Sequence, residues 1–327
     1  MAVYTEVTEA ALAAFLAGYA IGEPLSLRGI AEGVENSNFL LDTTHGRYVL
    51  TLYERRVDPA ELPWFLGLMR HLAAQGVACP QPVPGRDGEA LRELAGRPAA
   101  ICTFLEGAWP RQVAPAHCAE LGRAMAGLHA AGRSYAAERP NALGPAAWAP
   151  LLDRCRDGGD AVQPGLCDEL AQHLGLILRE WPNLAEYGTL PRGQIHADLF
   201  PDNAFFQGGH LTGLIDFYFA CTDLLAYDLA ISLNAWCFDA DLRFVPERAA
   251  AMLTAYEALR PLTPAERAAL PVLCAGGAMR FLLTRLYDWT HTPPGALVTR
   301  KDPLEYLARL RHFMGHRALP GIFAHAG

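Results

Sequence analysis

The first part of the chain alternates between apolar and polar positions over three short runs, a pattern typical of half-buried strands. The runs begin at Leu25, Phe39 and Arg47, and two polar turns, 33–38 and 43–46, separate them. Because the connections are short, consecutive strands pair as hairpins. The sequence therefore predicts a small antiparallel sheet near the N-terminus.

Helical spacing of apolar residues accompanies these strands. Thr8 is suited to cap a helix that continues to Tyr19, and residues 61–75 repeat apolar side chains every three or four positions. Prolines at 80, 82 and 84 predict an extended edge segment, and residues 98–105 predict another strand. We place the first domain boundary after that strand, at Gly107.

After Gly107 the pattern becomes mostly helical. Helices are expected at 117–131, 166–181, from about 223 onward, and at 246–258, 264–289 and 301–314. Residues 141–160 are rich in Gly, Pro and Asp, and we expect them to form an excursion on the surface. The chain is thus predicted to be α+β, with a small antiparallel-sheet domain at 1–107 and a larger, mostly helical domain at 108–327.

The amino-acid composition indicates a globular protein and argues against some classes of function. The 327 residues are 51% hydrophobic and 19% charged, as in ordinary globular proteins. The net charge of −8 argues against nonspecific nucleic-acid binding. The eight cysteines form no C-x-x-C pair and are expected to be buried free thiols. We expect no signal peptide, because Glu6 and Glu9 precede the first apolar run, and no membrane span, so the cytoplasm is the expected location.

One stretch carries chemistry. His196-Ala197-Asp198 is followed by Asn203, and Asp216-Phe217 comes after a short predicted hairpin turned by Gly208-Gly209. A phosphotransferase needs one carboxylate facing the acceptor hydroxyl and an amide oxygen and a second carboxylate on the metal that holds the ATP phosphates. We assign Asp198 as the catalytic residue and Asn203 and Asp216 as Mg²⁺ ligands. The alternative is a local turn network around His196 and Asp198.

Supporting residues can be assigned around this stretch. His196 is expected to prop the loop by hydrogen bonding, and His129 to be packed and hydrogen-bonded rather than catalytic. Asp228 is predicted to be a buried acid that braces the catalytic loop.

The nucleotide contacts are less distinct in the sequence. The turn that includes Asn36, Ser37 and Asn38 would cover the phosphates with backbone N–H groups, or it is a simple hairpin turn. The strand ending at Thr103 and Leu105 would offer its backbone edge to adenine.

The third strand carries Thr51 at the inward position where a kinase usually has a lysine. The chain has one lysine, Lys301, far from this strand. Arginines 47, 55 and 56 are candidates for the phosphates, although each of them is also explained as a solvated residue at a strand end.

The acceptor must lie near Asp198. Asp202 and Asp223 flank the metal ligands in sequence and are candidates for a cationic group of the substrate. Arg280 and Arg285 lie on an otherwise apolar predicted helix, and a buried arginine needs a partner. That partner is either a substrate carboxylate, which the guanidinium fork matches, or a structural salt bridge.

Longer stretches of the chain resemble the homoserine kinases of the aminoglycoside phosphotransferase and choline kinase-like superfamily. They are GVENSNF, GRYVLTLYE, ELPWFLGLMRHLAAQGVACPQPV, QIHADLFPDNAFF, GLIDFYFACTDLLAYDLAISLNAWC and RFLLTRLYDW. The resemblance implies a bilobal protein-kinase-like fold, ATP and Mg²⁺ as cofactors, and phosphorylation of the side-chain hydroxyl of L-homoserine in threonine biosynthesis. It also implies that Thr51 in place of lysine is a feature of this branch.

Two alternatives remain open at this point. One is a kinase of another small amino alcohol, such as choline or an aminoglycoside, since aromatic residues at 217–219 suit a quaternary ammonium group. The other is a pseudokinase that binds nucleotide without turnover, which the missing lysine motivates. The complete set of Asp198, Asn203 and Asp216 argues against the pseudokinase.

Overall fold

A computed structural model describes residues 5–30, 36–54, 58–182, 190–292 and 300–315. The chain divides into two compact units. The first unit comprises Met1–Gly107 and Thr212–Tyr218, and the second comprises Ala108–Leu211 and Phe219–Gly327. The short segment at 212–218 therefore packs with the N-terminal residues rather than with its neighbours in sequence.

The first unit is built on a five-stranded antiparallel sheet in the order β1-β2-β3-β5-β4. The strands are β1 (Pro24–Gly29), β2 (Ser37–Thr43), β3 (Gly46–Leu52), β4 (Arg92–Leu94) and β5 (Arg97–Thr103). The predicted three-strand antiparallel start is confirmed. Prolines 80–84 are extended as predicted, because Val83 N–H donates to Ile101 O at 2.8 Å and Thr103 N–H donates to Gln81 O at 2.9 Å.

Two helices accompany the sheet. α1 (Glu9–Leu16) is capped by Thr8, whose side chain accepts from Ala11 N–H, as predicted. It ends three residues before the expected Tyr19, next to Gly18, a residue that weakens helices. Apolar residues of α1 join those of β2, β3 and β5 in one buried core. α2 (Leu62–Ala74) follows the predicted periodicity, with six buried apolar side chains.

The second unit is mostly helical. Its helices are α3 (Pro115–Gly132), α4 (Pro145–Val162), α5 (Leu166–Glu180), α6 (Leu225–Trp236), α7 (Pro246–Glu257), α8 (Pro264–His291) and α9 (Leu304–Gly315). β6 (Arg192–Ile195) pairs antiparallel with β9 (Cys221–Leu224). β7 (Ala204–Gln207) and β8 (His210–Leu214) form the predicted hairpin around Gly208 and Gly209, both with positive φ. All eight cysteines are free, and all but Cys102 are buried.

The expectation of a surface excursion at 141–160 was wrong. Residues 145–162 form α4, which begins at Pro145, a residue favoured in the first turn of a helix. Trp148, Leu152 and Cys155 recur at helical spacing and are buried. Gly158 and Gly159 lie where α4 meets neighbouring side chains too closely for a Cβ atom, so the glycines mark close packing and not a loop.

α8 is the long central helix of this unit. By length and composition alone it could cross a membrane, contrary to the sequence-based expectation that no segment would. However, 78% of its most apolar stretch is buried inside the protein, against α4, α6 and α9 among others. This burial is that of a core helix.

A glycine fixes the contact between α3 and α7. A Cβ atom on Gly122 would lie 2.3 Å from the backbone oxygen of Met252, whereas one on Gly127, in the same helix, would meet nothing within 4 Å. Gly122→Ala is therefore expected to destabilise the protein by about 2–4 kcal/mol, because backbone cannot yield as a side chain does. Gly127→Ala is the matched control and should stabilise by about 0.5–1 kcal/mol. Urea unfolding of both variants checks this, and equal effects would contradict the packing described.

Candidate active site

The loop after β6 carries Asp198 and Asn203 and closes in a 3₁₀ turn at Pro201–Asn203. Asn203 Nδ2 donates to the backbone oxygen of Asp198 at 2.8 Å and to its carboxylate Oδ2 at 3.2 Å. Phe200 N–H donates to the same backbone oxygen at 2.8 Å. The five-residue spacing seen in the sequence is thus one closed turn, which brings Asp198 and Asn203 together.

The residue before Asp198 has a backbone conformation that needs support. Ala197 has φ +62°, in the left-handed region that non-glycine residues seldom occupy. Its N–H donates to Asp228 Oδ1 at 2.8 Å, and its carbonyl accepts from the Arg280 guanidinium. Farther along, Leu199 O accepts from Trp236 Nε1 at 2.8 Å. These contacts from α6 and α8 fix the direction in which Asp198 projects.

Asp228 braces the loop as predicted. It is fully buried, and its Oδ2 accepts from His196 N–H at 3.0 Å. The same oxygen lies 3.0 Å from His129 Nε2. Burial alone would raise the pKa of Asp228, but the hydrogen bond from His129 and the contacts with His196 outweigh it and lower the pKa. Asp228 therefore stays ionised while it holds the loop.

The network continues beyond His129, which is buried and hydrogen-bonded as predicted. His129 Nδ1 lies 2.8 Å from Tyr256 Oη, which accepts from Arg260 at 3.0 Å. Arg260 in turn binds Glu266 at 2.7 Å, and Glu266 caps the first turn of α8. The sequence did not indicate this connection, because its members are 129, 228, 256, 260 and 266 and share no local pattern.

Two cations act on the Asp198 carboxylate. Burial raises the pKa of Asp198 to about 6, and the charges of Arg280 and Lys301 act in the opposite direction. Nearby Asp202 raises it further. At pH 7 Asp198 is ionised but more basic than an exposed carboxylate, which suits a proton acceptor. Lys301, which the sequence singled out only as the one lysine, is thus close enough to Asp198 for its charge to act on that carboxylate.

Because Asp198 is partly buried and its charged form is disfavoured there, removal of this charge is predicted to increase the stability of the folded protein. The folded state holds the proton of Asp198 more tightly than the unfolded chain, so stability is lost as pH rises from about 4 to about 6. Below about pH 4 residue 198 is protonated in both the folded and the unfolded state, so it no longer lowers the free energy of unfolding. Asp198→Asn removes the charge and keeps an acceptor for Asn203, and it should stabilise by about 1–3 kcal/mol at pH 7.5.

Urea unfolding in the presence of a metal chelator measures this effect. The gain should disappear at pH 4. Asp153→Asn, at a side chain that is 71% exposed on α4, is the control and should change stability by less than about 0.5 kcal/mol. A gain that persists unchanged at pH 4 would contradict the assignment to the buried charge.

The two predicted substrate arginines differ in their surroundings. Arg280 is 2% exposed, lies 4.4 Å from the Phe281 ring centroid and 5.5 Å from that of Phe219, and its Nε has no hydrogen-bond partner among the described residues. Arg285 instead forms a salt bridge with Glu305 at 2.7 Å and donates to Asp302 O. Arg285 thus has a structural salt bridge, which was one of the two alternatives that the sequence left open. For Arg280, no carboxylate within ion-pair distance is found in the described ranges.

The two predicted acids also differ. Asp202 is exposed and accepts no hydrogen bond from the residues that the structure describes. Asp223 is half-buried, and its Oδ2 accepts from Asn141 Nδ2 at 2.8 Å while its Oδ1 accepts from the N–H of Leu224. The carboxylate of Asp202 is therefore the more available of the two.

Asp216 belongs to the first unit, whereas Asp198 and Asn203 belong to the second. It is exposed, with φ +65°, a conformation that Asp tolerates better than most residues. Two residues later, Tyr218 packs edge-on against Tyr53 and Phe65 and its hydroxyl donates to that of Tyr53 at 3.3 Å. These contacts attach the Asp216 segment to the residue that follows β3 and to α2.

The strand end predicted to meet adenine lies in the same unit. Thr103 is already engaged, since its N–H and Oγ1 both bond to the backbone of Gln81. Leu105 N–H and C=O make no hydrogen bond within the described ranges, and its side chain packs on Gly213. Leu105 therefore offers the free backbone edge that a purine needs.

The other predicted nucleotide residues are tied into the sheet by their side chains. Ser37 Oγ donates to Glu54 at 2.7 Å, Asn36 Oδ1 accepts from Glu54 N–H at 3.3 Å, and Asn38 Oδ1 accepts from Thr51 at 2.8 Å. Thr51 is buried, as expected of the inward position. The turn residues 33–35 and the candidates Arg55 and Arg56 lie outside the described residues, and Arg47 pairs with Asp42 at 3.0 Å.

The chain matches known proteins over most of its length. Residues 26–262 match the model of the phosphotransferase enzyme family. The chain is 65% identical to a homoserine kinase of Gluconacetobacter diazotrophicus over 97% of both chains, and 63% identical to one of Acidiphilium cryptum over 95% of this chain and 96% of that one. Among solved structures, the amicoumacin kinase hAmiN in complex with AMP-PNP, Ca²⁺ and Ami superimposes with a TM-score of 0.68 at 16% identity, covering 94% of this chain and 92% of that one.

Proposed function

The chain belongs to the phosphotransferase enzyme family and to the homoserine kinases within it, and on this basis we propose that it transfers the γ-phosphoryl group of ATP to the side-chain hydroxyl of L-homoserine. The observation that supports the chemistry most directly is the held Asp198 loop. Its backbone is fixed by Asp228 and Arg280, and its carboxylate is poised by burial. The product is O-phospho-L-homoserine, an intermediate of threonine biosynthesis.

Asp198 orients the acceptor hydroxyl and takes its proton late. An alcohol is too weak an acid to lose its proton to a carboxylate before phosphoryl transfer begins. As the bond from the hydroxyl oxygen to the γ-phosphorus forms, the bond from that phosphorus to the β-γ bridging oxygen breaks, and ADP leaves. The hydroxyl proton passes to Asp198 and then to solvent, which balances the reaction.

The nucleotide is ATP with a divalent metal, which we propose to be Mg²⁺. Asn203 fits a ligand role: its Nδ2 is bound to Asp198, and its Oδ1 accepts no hydrogen bond among the described residues, so the oxygen that a hard cation prefers is free. Asp216 is the proposed second ligand, with an exposed carboxylate. When bound, the metal neutralises charge on the phosphates. Leu105 is the proposed adenine contact, with the backbone around Asn36, Ser37 and Asn38 near the phosphates.

We assign the substrate carboxylate to Arg280 rather than to Arg285. Arg280 lies beside Asp198 without a carboxylate partner in the described chain, whereas Arg285 already has Glu305. A guanidinium fork suits a carboxylate. For the substrate ammonium we assign Asp202, whose carboxylate is free, in preference to Asp223.

ADP release by the purified protein with Mg²⁺-ATP tests this function. Acceptors to compare are L-homoserine, L-serine, choline and an aminoglycoside. Selective turnover of L-homoserine is expected. Turnover of choline or the aminoglycoside alone would support phosphoryl transfer but contradict L-homoserine as the substrate. Nucleotide binding with no turnover of any acceptor would favour the pseudokinase. The cytoplasm stays our prediction for its location.

A further inference from the structure

The one lysine of the chain lies next to the catalytic loop. Lys301 lies three residues before the start of α9 and is exposed, and its Nζ is 5.4 Å from the centroid of the Phe200 ring. Phe200 in turn donates its N–H to the backbone oxygen of Asp198. Phe200 also packs edge-on against Phe281, with 4.9 Å between ring centroids, so its position is fixed by α8.

The two cations near Asp198 form no ion pairs with described residues. Lys301 forms no ion pair with any described residue, and neither does Arg280. By contrast, Arg285, which lies on α8 like Arg280, and Arg311 on α9 each bind a glutamate at 2.7 Å. Arg285 and Arg311 are thus neutralised within the protein, whereas Arg280 and Lys301, whose charges act on Asp198, have no carboxylate within ion-pair distance among the described residues. Such an arrangement favours an anion from outside the chain.

The proposed substrate supplies such an anion close to its reacting hydroxyl. In L-homoserine four covalent bonds join the carboxylate carbon to the hydroxyl oxygen, a span of about 5 Å when extended. A substrate whose hydroxyl is held at Asp198 therefore carries its carboxylate only about 5 Å away, near the two cations whose charges act on Asp198. Arg280 is buried and fixed, whereas Lys301 has a flexible four-carbon stem that can follow a ligand.

We propose that Lys301 is a specificity-determining residue that binds the substrate carboxylate together with Arg280, and so selects amino-acid alcohols over amino alcohols that lack a carboxylate. This inference rests on the proposed function and extends it. Neither the superfamily motif nor the local sequence indicates it, since Lys301 is about 100 residues from Asp198.

The test compares two acceptors that differ only in the carboxylate. They are L-homoserine and 3-aminopropan-1-ol, which is homoserine with hydrogen in place of that group. For Lys301→Gln, kcat/KM for L-homoserine should fall about five- to tenfold, mainly through KM. For 3-aminopropan-1-ol it should change less than about twofold, and KM for ATP should stay the same. Lys301→Arg should recover most of the loss.

Arg300→Gln is the matched control. It removes a positive charge one residue away, but the Arg300 guanidinium lies 4.9 Å from the Trp289 ring centroid and donates to Trp289 O. For Arg300→Gln, the ratio of kcat/KM for L-homoserine to kcat/KM for 3-aminopropan-1-ol should equal that of the wild type. This control distinguishes the loss of a local contact at Lys301 from a change in net charge.

Three outcomes would overturn the inference. An equal loss on both acceptors would place Lys301 in the chemical step, a higher KM for ATP would place it on the phosphates, and no change on either would leave it without a role. A wild-type protein that turns over 3-aminopropan-1-ol but not L-homoserine would instead refute the proposed function itself. Because Lys301 is exposed, the variant is expected to fold, and its thermal unfolding midpoint confirms this.

Discussion

Asp198→Ala is expected to lower turnover of L-homoserine by a factor of about a thousand or more, while ATP still binds. The variant loses the side chain that we propose to orient the acceptor and take its proton. Positioning together with proton transfer accounts for a large part of catalysis in such enzymes. Of the nucleotide and metal contacts that we propose, Leu105 and Asp216 belong to the other unit, and Asn203 keeps its hydrogen bond to the backbone oxygen of residue 198. Single-turnover ADP release and calorimetric binding of AMP-PNP measure the two properties separately.

The contrast between turnover and binding makes this prediction specific. Asp198→Asn, which keeps the shape of the side chain, should be as inactive as Asp198→Ala although it is expected to be more stable than the wild type. Residual turnover near the wild-type rate, combined with lost nucleotide binding, would show that Asp198 holds ATP rather than the acceptor.

Asp228→Asn is expected to lower stability by about 3–5 kcal/mol and to reduce kcat as well. The carboxylate accepts from His196 N–H, Ala197 N–H and His129, and an amide has only one oxygen to offer these donors. Its NH₂ group would face donors in a fully buried site, which is costly. Ala197 would then lose the bond that supports its left-handed backbone, and the direction of Asp198 would relax.

Glu266→Gln is the control for this effect. Glu266 is equally buried and belongs to the same network, but it binds Arg260 and the start of α8 instead of the catalytic loop. We expect it to cost about 1–3 kcal/mol with little change in kcat at a temperature where both variants are folded. If Glu266→Gln lowers kcat as much as Asp228→Asn does, the loop is not positioned by Asp228 in particular.

The elements that sequence predicted well are those with a local signature. The five-residue interval from Asp198 to Asn203 defines a closed turn, and the alternation in β2 and β3 defines a sheet, so both follow from neighbouring residues. The same holds for the helices with clear apolar periodicity. The roles of Asp228 and His129 were inferred correctly because buried polar side chains must find partners.

Other features depend on distant residues and left little trace in the sequence. The Gly and Asp residues of α4 suggested a loop, but Gly158 and Gly159 are required by close neighbours that only the folded chain supplies. Likewise, the extended connection from His129 through Tyr256 to Glu266 joins three helices. Lys301 was conspicuous as the only lysine, yet its place beside Phe200 follows from the packing of α9 on α8.

Identification of the product is the most direct measurement of the central claim. The protein is incubated with Mg²⁺-ATP and L-homoserine that carries ¹⁸O in its side-chain hydroxyl, and the products are analysed by mass spectrometry. Transfer to that hydroxyl predicts O-phospho-L-homoserine that retains the ¹⁸O, formed in step with ADP and absent when Asp198→Ala replaces the wild type. ADP that appears with unlabelled inorganic phosphate and no phosphorylated homoserine would contradict the account.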